Sequence, residues 1–76
     1  MEAEIISLIA QHLNMPTSEI RADSHLINDL GMSSLDIMHI VSVVEDRYGI
    51  EINEYDILGS LTVGKISEYL ATIINP

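Results

Sequence analysis

Two adjacent hydroxyls, Ser33 and Ser34, stand between Gly31 and an apolar run that opens at Leu35. A serine oxygen can cap a helix, attack an electrophile once a base activates it, or be esterified. Attack is the poorest fit, because no Ser-His-Asp order can be given a working geometry in a chain of 76 residues. His12, His25 and His39 are too far apart in sequence for a local metal motif, no adjacent pair of acids completes one, and all three are expected on the surface or in loops. There is no cysteine, hence no thiolate nucleophile, no disulfide and no sulfur ligand for a metal. Neither a glycine-rich phosphate loop nor EF-hand spacing is present. The chain therefore reads as a non-enzyme without a metal site.

The two serines differ in what a helix asks of them. A helix starting at Ser34 leaves its first N–H groups without intrahelical partners, and Ser33 at the N-cap can offer its oxygen to the third helical residue. That residue is Asp36, which completes an S-x-x-D variant of the capping box. Ser34, one position inside, has no capping duty. Its side chain can face solvent at the positive end of the helix, where a phosphate ester would be stabilised by the dipole and by free N–H groups. On these residues alone two readings stand: a serine merely tolerated in a first helical turn, or an attachment point.

The elements that hold the pair are legible from spacing. Ile5, Ile6, Ile9 and Leu13 recur at helical intervals opposite Glu2, Glu4, Ser7 and Gln11, which predicts a first helix over residues 2–13. Asn14, Pro16, Thr17 and Ser18 break it. A long connector then runs to Ser33, and its length predicts that it packs on the helices through Ile20, Leu26, Ile27 and Leu30. From Ser34, the stripe Ile37, Ile40, Val41, Val44 and Tyr48 predicts a second helix closed by a left-handed Gly49 and a contact from Ile50. Met32 and Met38 offer adaptable packing on either side of its start. Asn53 can cap a short third helix over residues 54–58, ended by Gly59. Thr62 can cap a fourth from Val63 to about Ile74, with Val63, Ile66, Leu70 and Ile73 inward. The expected fold is all-α, a small four-helix bundle in a single domain over 1–76, with a long loop between helices one and two.

Twelve acids against three bases leave a net charge of −9. Nucleic acid and anionic membranes are disfavoured partners, and basic protein surfaces are the natural complement. No apolar run approaches the roughly 20 residues needed to span a bilayer, and the first residues are acidic rather than basic. The chain is expected to be soluble, cytoplasmic and monomeric. Self-repulsion at this charge should make the melting temperature rise with added salt or divalent cations; a midpoint indifferent to both would count against it.

Around Leu30-Gly31-Met32-Ser33-Ser34-Leu35 the sequence resembles the acyl carrier protein family, whose mark is Asp-Ser-Leu after Leu-Gly-x at the start of the second helix. The resemblance extends over essentially the whole chain, through the DLG of Asp29–Gly31, the EDRYGIEI of Glu45–Ile52 and the LTVGKISEYL of Leu61–Leu70. It implies that Ser34 is esterified with 4′-phosphopantetheine from coenzyme A, whose terminal thiol carries acyl groups as thioesters. A phosphopantetheinyl transferase and acyl-transfer or synthase enzymes with basic surfaces are the implied partners. Asp36, His39, Glu45, Asp46 and Glu51 are the positions expected to meet them, with Glu54 and Asp56 beyond. Ile37, Ile40, Val41, Val44, Ile52 and Ile57 match the positions that can shelter an acyl chain, though each also reads as plain core.

Two departures stand out. Ser33 replaces the family's usual aspartate, keeping a capping oxygen but losing a charge, and His39 sits where a carboxylate is usual. The expected route is fatty acid synthesis or a specialised lipid or polyketide-type pathway, and both departures point to a specialised pathway rather than bulk fatty acid synthesis. The alternatives are an aminoacyl or peptidyl carrier and a noncatalytic acidic interaction domain.

Overall fold

The computed structural model describes residues 1–74. The first helix, α1, spans Glu2–Leu13 and ends on Asn14 in the left-handed conformation, at φ 56°. Asparagine tolerates that region better than most residues with a side chain. Pro16 precedes a single 3₁₀ turn, Thr17–Glu19, which the sequence pattern did not predict. The second helix, α2, covers Ser34–Tyr48; α3 covers Glu54–Leu58; α4 covers Val63–Ile74. All four match the spans expected from hydrophobic spacing and caps.

The caps explain the boundaries. Ser33 closes the start of α2 and Gly49, at φ 65°, closes its end. The Asn53 Oδ1 accepts the Tyr55 N–H at 2.8 Å, and the Thr62 Oγ1 accepts the Lys65 N–H at 3.2 Å. The first N–H groups of α4 are satisfied by the long loop: Val63 donates to the Ser24 carbonyl and Gly64 to the Ala22 carbonyl. A Cβ at position 64 would lie 3.1 Å from that Ala22 oxygen, so the approach favours glycine.

The core runs between α1, α2 and α4, with α1 packed chiefly along α4. Ile5, Ile9, Val41, Val44, Ile66 and Leu70 are all but fully enclosed. In α1 the inward stripe shifts from the one expected: Leu8 and Ala10 are buried, while Ile6 and Leu13 are half-buried. Ile73 of α4 is likewise half-buried.

Tyr48 departs further, being 37% exposed rather than part of the buried stripe. Its phenol donates to Glu4, and the Arg47 guanidinium donates to the same carboxylate at 2.9 Å, fastening the end of α2 to the start of α1. These two bonds hold the Glu4 carboxyl below its ordinary range.

The loop before α2 is built rather than slack. Ile20 and Leu26 are buried in the core and Leu30 packs against it. Ile27 does not follow them inward and stands 40% exposed, contrary to the expected packing. The turn just after Leu26 leaves it on the rim of a cavity described below. Local bonds replace the missing helix: the Asp29 carboxylate accepts the His25 N–H, and the His25 Nδ1 accepts the N–H groups of Ile27 and Asn28. His25 and Thr62 form an isolated antiparallel bridge that pins the loop to the start of α4. Among the described residues no helix is long and apolar enough to cross a membrane.

Candidate functional site

Gly31, at φ 68°, turns the chain so that Met32 drops into the core and Ser33 begins α2. The Ser33 oxygen accepts the Asp36 N–H at 3.2 Å, and its hydroxyl donates to the Asp36 Oδ2 at 3.0 Å. The same carboxylate oxygen accepts the Ser33 N–H at 2.8 Å, closing a reciprocal capping box. The Ser33 hydroxyl is thus engaged as both donor and acceptor.

Ser34 takes no part in this network. It is exposed at the first position of α2, where the backbone N–H groups of the first turn point outward. Leu35 beside it is 83% exposed. An ester phosphate on this oxygen would meet the positive end of a helix of 15 residues, with Asp36 two positions on already bound on both oxygens. The residues present therefore fit a phosphate-linked arm.

Ser34 also forms part of the wall of an apolar cavity of about 250 Å³ between the start of α2, the loop and α3. Ile37 and Ile57 make its floor, Met38 a side, and Ile27, Glu54 and Leu58 its exposed rim. Two of the six aliphatics assigned to a cargo pocket from sequence, Ile37 and Ile57, thus come together with Ser34. The other four, Ile40, Val41, Val44 and Ile52, pack in the core and do not line the cavity. Ile27, Met38 and Leu58 were missed. Met38 alone carried a signal, since four residues beyond Ser34 it shares that serine's helix face.

The acidic positions are not equivalent. Asp36 is partly buried, and its Oδ1 meets the His12 Nε2 at 2.8 Å, so that α1 is tied to the start of α2. The His12 ring stacks on His39 at 4.8 Å between centroids. Both histidines are exposed, as expected, with His12 bonded to Asp36 and His39 stacked on the His12 ring. Hydrogen bonds from the Ser33 backbone, from His12 and from the Ser33 hydroxyl lower the Asp36 carboxyl from its ordinary 3.8 to about 2.

A depressed carboxylate stabilises the fold above its unfolded value and ceases to do so once protonated. The thermal midpoint should accordingly fall as pH drops from about 3.8 toward about 2, and Asp36→Asn should flatten that part of the profile. An identical acid limb in the variant would exclude the mechanism.

Glu45 is partly buried, and its Oε2 accepts the Ile52 N–H at 2.8 Å, clamping the turn after α2. Asp46, Glu51 and Glu54 are exposed. Asp56, also exposed, accepts the Tyr69 hydroxyl at 3.0 Å, joining α3 to α4. No group of three potential ligands is arranged to hold a metal among the described residues.

The family model described as the phosphopantetheine attachment site matches residues 3–70. The chain belongs to the acyl carrier protein family. It is 32% identical over 72 residues to an acyl carrier protein of Chlamydia caviae, a match covering 95% of this chain and 94% of that one. To an acyl carrier protein of Saccharopolyspora erythraea it is 33% identical over 70 residues, covering 92% of this chain and 74% of the relative. Such carriers are noncatalytic and hold a covalent 4′-phosphopantetheine. When attached, that group supplies a thiol for thioester formation; the carrier itself supplies the hydroxyl, a fixed helix start and the apolar wall beside it.

Proposed function

We propose that this chain acts as one carrier domain whose Ser34 receives the phosphopantetheine arm, and that it ferries acyl intermediates in a specialised lipid or polyketide-type pathway. The observation that carries the assignment to Ser34 is the division of labour at the helix start: one hydroxyl is consumed by the cap, and its neighbour is exposed on the wall of an apolar cavity. In the loading step the Ser34 oxygen attacks the β-phosphorus of coenzyme A. An O–P bond forms, the pyrophosphate bond breaks, adenosine 3′,5′-bisphosphate leaves, and the serine proton passes to a base of the transferase. The carrier contributes no base: Asp36 is already bound by Ser33 and His12.

Docking is assigned to the acidic side that includes Asp46, Glu51 and Glu54, with exposed Leu35, Tyr55 and Leu58 as apolar contacts, opposite basic enzyme surfaces. Asp36, His39 and Glu45 belong to the same recognition surface, with Asp36 and Glu45 acting partly through the geometry they hold. The departures at Ser33 and His39 support a specialised route, since they lower the negative charge a partner meets beside the attachment site. A cytoplasmic monomer is the form proposed.

Incubation with coenzyme A, magnesium and a permissive transferase should add one arm, located by peptide mass spectrometry on Ser34. A protein left unmodified by several transferases would instead favour a noncatalytic interaction domain. Releasing and weighing the thioester from protein purified from its own cell separates acyl from aminoacyl cargo.

A further inference from the structure

Close to Ser34, two imidazoles and a carboxylate are brought together from two helices. The His12 Nε2 of α1 meets the Asp36 Oδ1 of α2 at 2.8 Å, and the His12 and His39 rings stack at 4.8 Å between centroids and 25° between planes. An ionised carboxylate can only accept, so the His12 Nε2 carries the hydrogen of that bond. Neutral imidazole and imidazolium both offer it. The contact therefore survives a change of charge on His12: with the ring neutral, the pair carries one negative charge, and with the ring protonated it carries none. Asp36, held at about 2 by its bonds, stays ionised throughout.

Histidine is the side chain that ordinarily changes charge between about pH 5 and 8. A proton on His12 faces the Asp36 carboxylate and the carbonyl end of α1, in whose last turn His12 lies. A further proton on His39 would face a charged ring, so the stack takes up one proton before two.

The other ionisable groups of the packed elements stand apart. In α1, Glu2 and Glu4 lie at the opposite end, where Glu4 is bonded to Arg47 and Tyr48. In α2, Glu45 and Asp46 lie with Arg47 in the last turns. The loop holds Arg21 paired with Asp23, and Asp29 bonded to the backbone of His25. The 3₁₀ turn against α1 carries Glu19, α3 brings Glu54 to the cavity rim and Asp56 to Tyr69, and α4 carries Lys65 and Glu68. Among the described residues none of these pairs with His12, His39 or Asp36.

We infer that His12 is a positioning residue for loading at Ser34 and a proton-dependent mask on the recognition face: it holds Asp36 in either charge state, and the proton it takes up in acid cancels the charge that a basic transferase meets there. This rests on the carrier reading of Ser34 and adds to it a dependence on pH. One surface ion pair is worth a factor of up to about five, so the mask alters loading by about two- to fivefold.

The test measures kcat/KM for transfer of the arm from coenzyme A by one permissive transferase at about pH 8 and about pH 5.5. Variant and wild type are compared as ratios, so that the transferase's own titration cancels. His12→Gln keeps an N–H donor for Asp36 but takes up no proton. Its loss of rate between the two pH values should be about two- to fivefold smaller than that of wild type. The difference should shrink in about 1 M salt, which screens a charge and leaves a purely structural role unchanged. Without any transferase, NMR of the wild-type chain should show the His12 ring titrating between about pH 5 and 8, and the Asp36 carboxyl carbon following the same curve.

Equal losses of rate in wild type and His12→Gln overturn the inference and leave the carrier reading intact. So does a difference that persists in high salt, or an Asp36 resonance that ignores the His12 titration. Failure of Ser34 to accept an arm from any transferase overturns the carrier reading and the inference together.

Discussion

Ser34→Ala abolishes attachment of the arm while the protein stays folded, whereas Ser33→Ala keeps the arm and loses about 1 kcal/mol of stability, at most about 2. The two serines are chain neighbours with the same functional group, so the contrast isolates position. Ser34 is exposed and outside the capping network, and its replacement by the best helix former leaves α2 intact. Ser33 supplies the cap of the Asp36 N–H and a second bond to that carboxylate.

Its loss frees an N–H at the start of α2 but spares the bond from the Ser33 backbone, which any residue can make. For a chain of this size the expected shift is roughly 4–8 °C in thermal midpoint per kcal/mol. Intact-mass analysis and thermal unfolding of both variants decide it. An adduct on Ser34→Ala, or none on Ser33→Ala, would reverse the assignment.

Leu26→Ala is expected to cost about 2–5 kcal/mol, as much as truncating a residue in the middle of a core helix. Leu26 belongs to no helix, yet it is 1% exposed. Its N–H donates to the Leu61 carbonyl at 2.8 Å, and its own carbonyl accepts the Met32 N–H at 2.9 Å. Both bonds hold the side chain in place from the backbone, so the site cannot readily collapse around the cavity that alanine would leave. Against a total stability of about 5–15 kcal/mol the loss is large.

The next residue is the control. Ile27 is 40% exposed, and Ile27→Ala should cost less, about 1–2 kcal/mol, because only part of its surface is removed from water on folding. Urea denaturation of the two variants makes the comparison. A Leu26→Ala cost of under about 0.5 kcal/mol, the usual range for a surface substitution, would mean that the loop is dispensable to the core.

The helix boundaries were readable because their causes are local. Apolar spacing of three and four residues, Ser33 before Leu35, Asn53 before the third helix and Gly49 after Tyr48 all act within a turn or two. The capping box joins residues three apart, so its separation of one engaged serine from one exposed serine was visible in the chain alone. What lay beyond reach joins distant segments. The His12 to Asp36 bond spans 24 positions and the Tyr48 to Glu4 bond spans 44, and a stripe that predicts burial is silent about a phenol finding a carboxylate on another helix.

The cavity shows the same divide. Periodicity indicates that Ile37, Ile40, Val41 and Val44 face inward, but whether they close on one another or leave a void depends on how helices and loop fit. That fit puts Ile40, Val41 and Val44 in solid packing, and leaves the space beside Ser34 to Ile37 and Ile57 together with Ile27, Met38 and Leu58. Capping and periodicity are properties of a few neighbouring residues; a void is a property of several surfaces brought together by the folded chain.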